Sequence, residues 1–571
     1  MQRAATVSSI SMQEQIAARA PTFVESFTPK LIATMREGYG LTQLRADALA
    51  GLTVAIVALP LSMAIAIASG AKPENGLFAA VIGGFLISML GGSRFQIGGP
   101  AGAFIVLVAK TIESHGYQGF LAATMMSGLI LIAIGYLRLG VYVKYIPYAV
   151  TMGFTAGVAV IIFASQIKDL LGLHVEREPA AFVPKLEAFW PALGTATPAA
   201  FGLAAASLAF IMILRIWKPR FPGLLAVIAL GGLAVWALDL PVETIGSKFG
   251  GVPRGLPAPA LPQVSLSELA ALVPSAVAIA LLGGIESLLS AVVADGMTGR
   301  HHRSNCELAA QGYANIGSAL FGGLCCTGAI ARTATNIRAG AHGPVAGMLH
   351  SLFLLAFMAL AAPMAAHIPL ATLAAVLTIV AWNMIEREQI VSIFKHDRGE
   401  AFVLGATFLL TVFEDITVGI GVGVTLGSLL FMHRMAEIVE VEVSDGAGAR
   451  NDDLEDEDKC YVPSSRADAV MTYRINGPFF FGVAATISAV LDAIGPSPEA
   501  FILDLTRVPL ADAAAANALL SFAQKAKRRK TVVYIVGANP RVRSTLAANG
   551  VDADMARFEE TEFAARVRIG V

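Results

Sequence analysis

The sequence predicts an α-helical polytopic membrane protein of 14 transmembrane segments in a 7+7 inverted repeat, followed by a small cytoplasmic α/β domain. Three observations predict it. The 571 residues are 56% hydrophobic and only 15% charged, with a mean hydropathy of +0.67, whereas a soluble chain carries about 25% charge. Apolar runs long enough to span or half-span a bilayer recur almost to residue 432. Basic residues gather in alternate short loops.

The runs fall near 47–69, 75–92, 97–112, 119–138, 145–167, 195–215, 221–239, 268–294, 308–322, 326–340, 343–366, 369–384, 400–413 and 415–432. With the N-terminus cytoplasmic, the inside loops include "GGSR", "RIWKPR", "GRHHR", "NIRAGAHG" and "EREQIVSIFKHDR", all basic. The short outside loops "TIESHGYQG", "HIPL" and "VFED" carry no Lys or Arg. Longer outside segments, 168–194 and 240–266, weigh little in this rule. Seven spans make an odd-numbered unit, so a second set of seven must enter the membrane inverted.

Residues 1–44 read as a polar cytoplasmic segment without a signal-peptide core, and 45–436 as the membrane domain. Residues 437–466, including "VEVSDGAGARNDDLEDEDK", read as an acidic linker. In 467–571, "DAVMTYRINGPFFFG", "AFILDLTRV" and "TVVYIVGAN" read as strands. The stretches "VAATISAVLDAIG", "DAAAANALLSFAQKAKRRK" and "PRVRSTLAANG" read as helices, giving an α/β domain. A net charge of −1 argues against a nucleic-acid partner. Cys306, Cys325, Cys326 and Cys460 show no metal-ligand spacing, and the adjacent pair reads as small core residues. No nucleophile–base constellation, phosphate loop or cofactor motif suggests an enzyme.

Two short segments rich in small residues stand third in each half: "FQIGGPAGAFIVLVA" (95–109) and "GAIARTATN" (328–336). Gly98, Gly99 and Pro100 cannot continue a helix from the N-terminal side, although Pro100 suits a helix start. A kinked helix packed through small residues would share this composition. The matching positions favour helices interrupted near the midplane. Arg332 lies just past such a start. A central arginine costs roughly 2.5–3.5 kcal/mol on insertion scales, so it persists only when paired or wet. It could lock two helices by pairing with Glu286. Equally, its charge could add to the N–H groups and dipole of a half-helix to hold an anion.

Glu286, in "IALLGGIESLLSAVVA", is the other prominent intramembrane charge. Burial disfavours a charged carboxylate, so Glu286 can carry a proton, or with Ser290 one turn on it can offer oxygens to sodium. Asp295 reads as a solvated cap at the inner end of that span. Pro60 loosens the first span, and Ser62 either contacts substrate or satisfies its own helix backbone.

The stretches "ALPLSMAIAIASG", "GGSRFQIGGPAGAF", "GGIESLLSAVVAD" and "TGAIARTATNIRAGAHGPVAG", in this order and ahead of an α/β domain, resemble the SulP/SLC26 anion transporters with a C-terminal STAS domain. The look is that of the bacterial sulfate/C4-dicarboxylate branch. The resemblance implies core and gate domains, a homodimer in the bilayer and elevator-like movement. It places Ser62, Ala66, Pro100, Ala101, Ile330, Ala331 and Arg332 around the anion. Glu286, with Ser290, matches the cation-coupling position, where a glutamate leans toward protons over sodium. Where relatives carry larger or hydroxyl-bearing side chains, Ala66, Ala101 and Ala331 imply a roomier pocket. In signalling STAS domains a phosphorylatable hydroxyl follows the strand-end acid. Here Asp512 is followed by Ala513 and Ala514, so that phosphorylation is impossible. The expectation is an inner-membrane, proton-coupled symporter of sulfate with both termini cytoplasmic. C4-dicarboxylate transport, sodium-coupled bicarbonate transport, uncoupled exchange or conduction, and a membrane-embedded sensor are the rivals.

Overall fold

The computed structural model describes residues 22–140, 147–175, 178–179, 181–217, 223–414, 416–437, 440–444, 470–480 and 499–570. Most of the acidic linker, Cys460 and the "VAATISAVLDAIG" stretch lie outside them. The chain forms two compact units, residues 1–424 and 425–571.

In the first unit, α1 (Phe23–Phe27) and α2 (Lys30–Arg36) precede α3 (Leu41–Ala68) and α4 (Pro73–Leu90), the latter containing a π-helical turn at Ala79–Gly83. A two-residue strand β1 (Gly98–Gly99) leads into α5 (Ile105–Tyr136), which kinks at Gly116 with φ +68°. Then come α6 (Tyr148–Leu171), α7 (Phe182–Ala192), α8 (Pro198–Trp217), α9 (Gly223–Leu238) and α10 (Ile245–Phe249). The second half runs α11 (Leu266–Thr298), α12 (Ser304–Leu320), β2 (Thr327–Gly328), α13 (Ile330–Arg338), α14 (Val345–Ala365), α15 (Leu370–Met384), α16 (Arg387–His396), α17 (Arg398–Phe413) and α18 (Ile416–Glu437). Among the described residues, nine helices are long and apolar enough to cross a membrane. Two helices fall where loops were expected: α7 in the long outer segment and amphipathic α16 in "EREQIVSIFKHDR".

The helices pack in two groups. One gathers α3, α4, α5 and α11 to α14; the other gathers α6, α8, α9, α15 and α17. Small residues permit the closest crossings, because in lipid no solvent drives helices together and backbone approach supplies the contact. A Cβ on Gly128 of α5 would stand 2.6 Å from the Gly312 carbonyl of α12. Likewise a Cβ on Gly51 of α3 would stand 3.0 Å from the His350 amide of α14. Pro60 does not interrupt α3.

In the second unit a five-stranded sheet has the order β3 (Glu440–Ser444), β4 (Val470–Asn476), β5 (Ala500–Asp504), β6 (Val532–Val536), β7 (Arg557–Glu559). Only β3–β4 is antiparallel. The helices are α19 (Ala513–Arg528), α20 (Pro540–Ala548) and α21 (Glu562–Ile569). The three strands read from the sequence are present, as are the two expected helices within the described residues. Strand β3 takes up the first residues of the expected linker, and β7 and α21 complete the domain beyond the elements foreseen. Asp512 caps α19, accepting from the Ala515 amide at 2.8 Å, and Ala514 is exposed in the first turn.

Candidate anion-binding site

The two small-residue segments meet as a pair of short strands. Gly98 stands opposite Gly328 and Gly99 opposite Thr327, in antiparallel register. Beyond β1 the chain stays extended at Ala101 (φ −117°, ψ 148°), makes a 3-10 turn at Gly102–Phe104, and enters α5. Beyond β2 it is extended at Ala329 (φ −95°, ψ 118°) and enters α13. Neither stretch is helical through the crossing, so the interruption expected at both places is present. Both helical starts are capped by alanines, which lack a side chain to accept from first-turn N–H groups. Those donors have no partner within their own helix and carry its positive end.

Side chains from three elements lock the crossing. Thr333 of α13 accepts from the Ile97 amide at 3.1 Å, and Asn336 donates to the Phe95 carbonyl at 2.9 Å. Thr327 donates to the Gly283 carbonyl of α11 at 2.8 Å. Asn315 of α12 accepts from the Cys326 amide and donates to the Cys326 carbonyl, both at 2.9 Å, imitating a strand partner. Cys325 and Cys326 are buried, as their apolar surroundings suggested.

Arg332 is 3% exposed. Its Nη2 donates to the Pro100 carbonyl, while Nε and Nη1 are buried without a partner among the described residues. The guanidinium therefore lies across the first interruption while belonging to the second. A Cβ on Gly99, whose φ is +148°, would run into it. Ile330 and Ala331, immediately before it, are exposed, and Pro100 and Ala101 are buried. Ser62 is fully buried and its Oγ has no partner among the described residues. Its neighbours along α3 behave differently: Thr53 donates to the Leu49 carbonyl at 2.7 Å and Ser69 to the Ile65 carbonyl at 2.7 Å. Ser62 thus does not satisfy its own helix. Ala66 is buried one turn on, and α3 packs against α13.

Glu286 is half-buried on α11 and makes no ion pair with Arg332 among the described residues. The Ser290 hydroxyl is engaged with Thr333 at 3.1 Å, which ties α11 to α13. Asp295 is more than a solvated cap, since its carboxylate accepts from His302 Nδ1 at 2.7 Å and from the His302 amide at 3.0 Å.

Sequence reasoning missed Glu307. Fully buried on α12, it accepts from the Gly92 and Ser93 amides at 2.8 and 3.0 Å and from Gln311 at 2.9 Å. Ser287 links it onward to Gln96, donating to Glu307 at 3.3 Å and accepting from Gln96 Nε2 at 2.9 Å. A signal was available: Glu307, Gln311 and Asn315 recur every four residues, a polar stripe along one face of a membrane helix.

These features define a polytopic membrane protein in which two interrupted segments meet around a buried guanidinium. The chain belongs to the sulfate permease family, whose model matches residues 44–407, and a STAS domain matches residues 461–565; it is a membrane anion transporter of the SulP/SLC26 type. Among its relatives is the Bacillus subtilis (strain 168) protein named "Putative sulfate transporter YvdB", 39% identical over 518 residues, covering 90% of this chain and 95% of that one. The bicarbonate transporter BicA of Picosynechococcus is 31% identical over 520 residues, covering 88% of this chain and 90% of that one. The solved BicA transmembrane domain superposes with TM-score 0.60 at 31% identity, covering 68% of this chain and 98% of that one. The murine Slc26a9 anion transporter in its inward-facing state shares the fold with TM-score 0.82 at 17% identity, covering 97% of this chain and 95% of that one.

Proposed function

We propose that this protein is a secondary active transporter of small anions, with sulfate as first substrate and a proton as coupling ion. The observation that carries the reading is the buried Arg332 guanidinium, with two donor nitrogens unpartnered among the described residues, at the start of a half-helix. Buried polar groups are nearly always satisfied, and a charged donor pair beside free N–H groups suits an oxyanion. Ser62 adds a hydroxyl without a partner among the described residues, and Ala66, Pro100, Ala101, Ile330 and Ala331 complete the walls. The alanines leave room for a C4-dicarboxylate, and the likeness to bicarbonate transporters keeps that anion in the same test.

The fourteen apolar segments form a 7+7 inverted repeat with both termini cytoplasmic, in an inner membrane. The two helix groups act as core and gate in a homodimer, and the core moves past the gate as an elevator. Glu286, close to Arg332 but not paired with it, takes up the coupling proton; with Ser290 already bonded to Thr333, fewer oxygens remain for sodium. The STAS domain, without a hydroxyl at Ala514, serves assembly or partner docking rather than phosphorylation-driven sensing.

The deciding experiment is uptake of radiolabelled sulfate, bicarbonate and succinate into proteoliposomes under an imposed pH or sodium gradient. Sulfate accumulation driven by the pH gradient is expected. Accumulation driven by sodium alone, or equilibration without a gradient effect, overturns the proton coupling in favour of sodium symport or exchange. A chain lacking 465–571 that remains monodisperse should still transport; complete loss would favour the sensor reading.

A further inference from the structure

A groove opens between α6, α8 and α15, away from the anion site. Its walls are Ala159 and Phe163 of α6, Leu208 and Met212 of α8, and Thr378 and Ile379 of α15, and they enclose about 510 Å³. Phe163 and Met212 are both exposed. A Cβ on Gly102, in the turn after β1, would stand 3.4 Å from Ile162 Cδ1 and 3.6 Å from Met384 Sδ. Helices α6 and α15 therefore turn those side chains toward the first interruption and another flank toward the groove.

Polar groups gather at one end of it, where the spans finish. Arg215, in the last turn of α8, lines the groove and donates from Nη1 to Asn383 Oδ1 at 2.8 Å. Arg387, which opens α16, holds its guanidinium 4.3 Å from the centre of the Trp382 ring, itself part of the lining. Both cations are thus tied to neighbouring residues of α15. Both are exposed, and neither has an ion pair among the described residues. Glu386 accepts from Tyr148 Oη of α6 at 3.4 Å, and Glu388 follows Arg387 on a helix, where adjacent residues do not share a face. From Leu208 to Ile216 the groove runs roughly 12 Å along α8 at the ordinary helical rise, close to the ~15 Å of hydrocarbon in one leaflet. Trp217 and Trp382, near the ends of α8 and α15, are exposed, as aromatic residues at a membrane–water boundary are.

An apolar groove of one leaflet's depth suits an acyl chain, and guanidiniums at its mouth suit a phosphate, which they grip through paired charge-assisted hydrogen bonds. A choline headgroup would set its own cation beside them, and Arg387 already covers a face of Trp382 on which that cation could rest. A second copy docking by two-fold symmetry would bring the same cations together. We propose that this groove is a binding site for an anionic phospholipid, with one acyl chain lying between α6, α8 and α15 and the phosphate held by Arg215 and Arg387.

The test titrates dioleoylphosphatidylglycerol into the full-length protein in dodecylmaltoside and reads the thermal unfolding midpoint. Dioleoylphosphatidylcholine and glycerophosphoglycerol, the headgroup without its chains, serve as controls, the second reporting any binding of the phosphate alone, at Arg332 or elsewhere. The expected result is a saturable rise with phosphatidylglycerol, an affinity at least about tenfold weaker for phosphatidylcholine, and no response to the headgroup. Arg215→Gln combined with Arg387→Gln should weaken the phosphatidylglycerol affinity at least about tenfold. Leu208→Trp, which fills the far end of the groove and keeps both guanidiniums, should weaken it as well and serves if the double variant does not fold. Equal responses to the two lipids, a response to the headgroup alone, or a phosphatidylglycerol response unchanged in both variants overturns the proposal. A changed oligomeric state of Leu208→Trp in light scattering, with the lipid response intact, assigns the groove to a second copy and overturns it too.

Discussion

Among the described residues Arg332 has a single acceptor, the Pro100 carbonyl, and its Nε and Nη1 are left for the anion proposed above. Replacing it with alanine should lower sulfate affinity or uptake at least tenfold, because charge-assisted hydrogen bonds contribute roughly 1.5–3 kcal/mol; uptake equal to wild type would remove it from the site. Ser62→Ala removes one neutral hydroxyl and should weaken binding only about 2- to 10-fold, measured as a change in KM. Glu286→Gln should keep anion exchange between the two sides while losing accumulation driven by a pH gradient. Retained accumulation would end its coupling role. Arg332 and Glu286 were legible because a charge in an apolar run is costly and stands out. Thr333, Asn315 and Glu307 were not, since one polar residue on a membrane helix looks like many others until its partner from a distant segment is known.

The crossing of β1 and β2 is the element on which the site depends. Its cohesion rests on Thr333, which accepts from the Ile97 amide, and on Asn315, which accepts from and donates to Cys326, satisfying backbone groups that would otherwise be orphaned in the membrane interior. Thr333→Val keeps the shape but strands the Ile97 amide, and should lower stability by about 1–3 kcal/mol, read as a lower unfolding midpoint in detergent. Gly99→Ala should impair transport as severely as loss of Arg332, since its Cβ would displace the guanidinium from a backbone already at φ +148°. In the STAS domain, Asp512→Ala removes the α19 cap and should cost about 1 kcal/mol. That the helices break was visible in Gly98–Gly99–Pro100. That the broken ends pair with each other was not, because strand pairing leaves no periodicity in two residues. Helices α7 and α16 escaped notice because short amphipathic stretches between spans read as polar connectors.

For the molecule as a whole, pH acts on the STAS sheet through Asp504. Burial pushes the Asp504 carboxyl up, but hydrogen bonds from Thr506 and Arg474 outweigh it and hold the group below its ordinary value. A carboxyl depressed in the folded state contributes stability above its unfolded pKa and loses that contribution as pH falls through the folded value. The stability gap between wild type and Asp504→Asn should therefore be full at neutral pH and shrink below about pH 4, measured by thermal unfolding of the full chain. By itself the sequence determined that this is a polytopic membrane chain with an α/β tail, because hydropathy and strand–helix alternation are properties of neighbouring residues. It also marked the two interruptions and the guanidinium, because glycine, proline and charge are costly in a membrane helix wherever they fall. Only the tertiary structure decided that residues 98–99 and 327–328 pair and that Arg332 reaches the Pro100 carbonyl. Those are contacts between segments more than 200 residues apart, and no local pattern encodes which distant backbone a buried donor will meet.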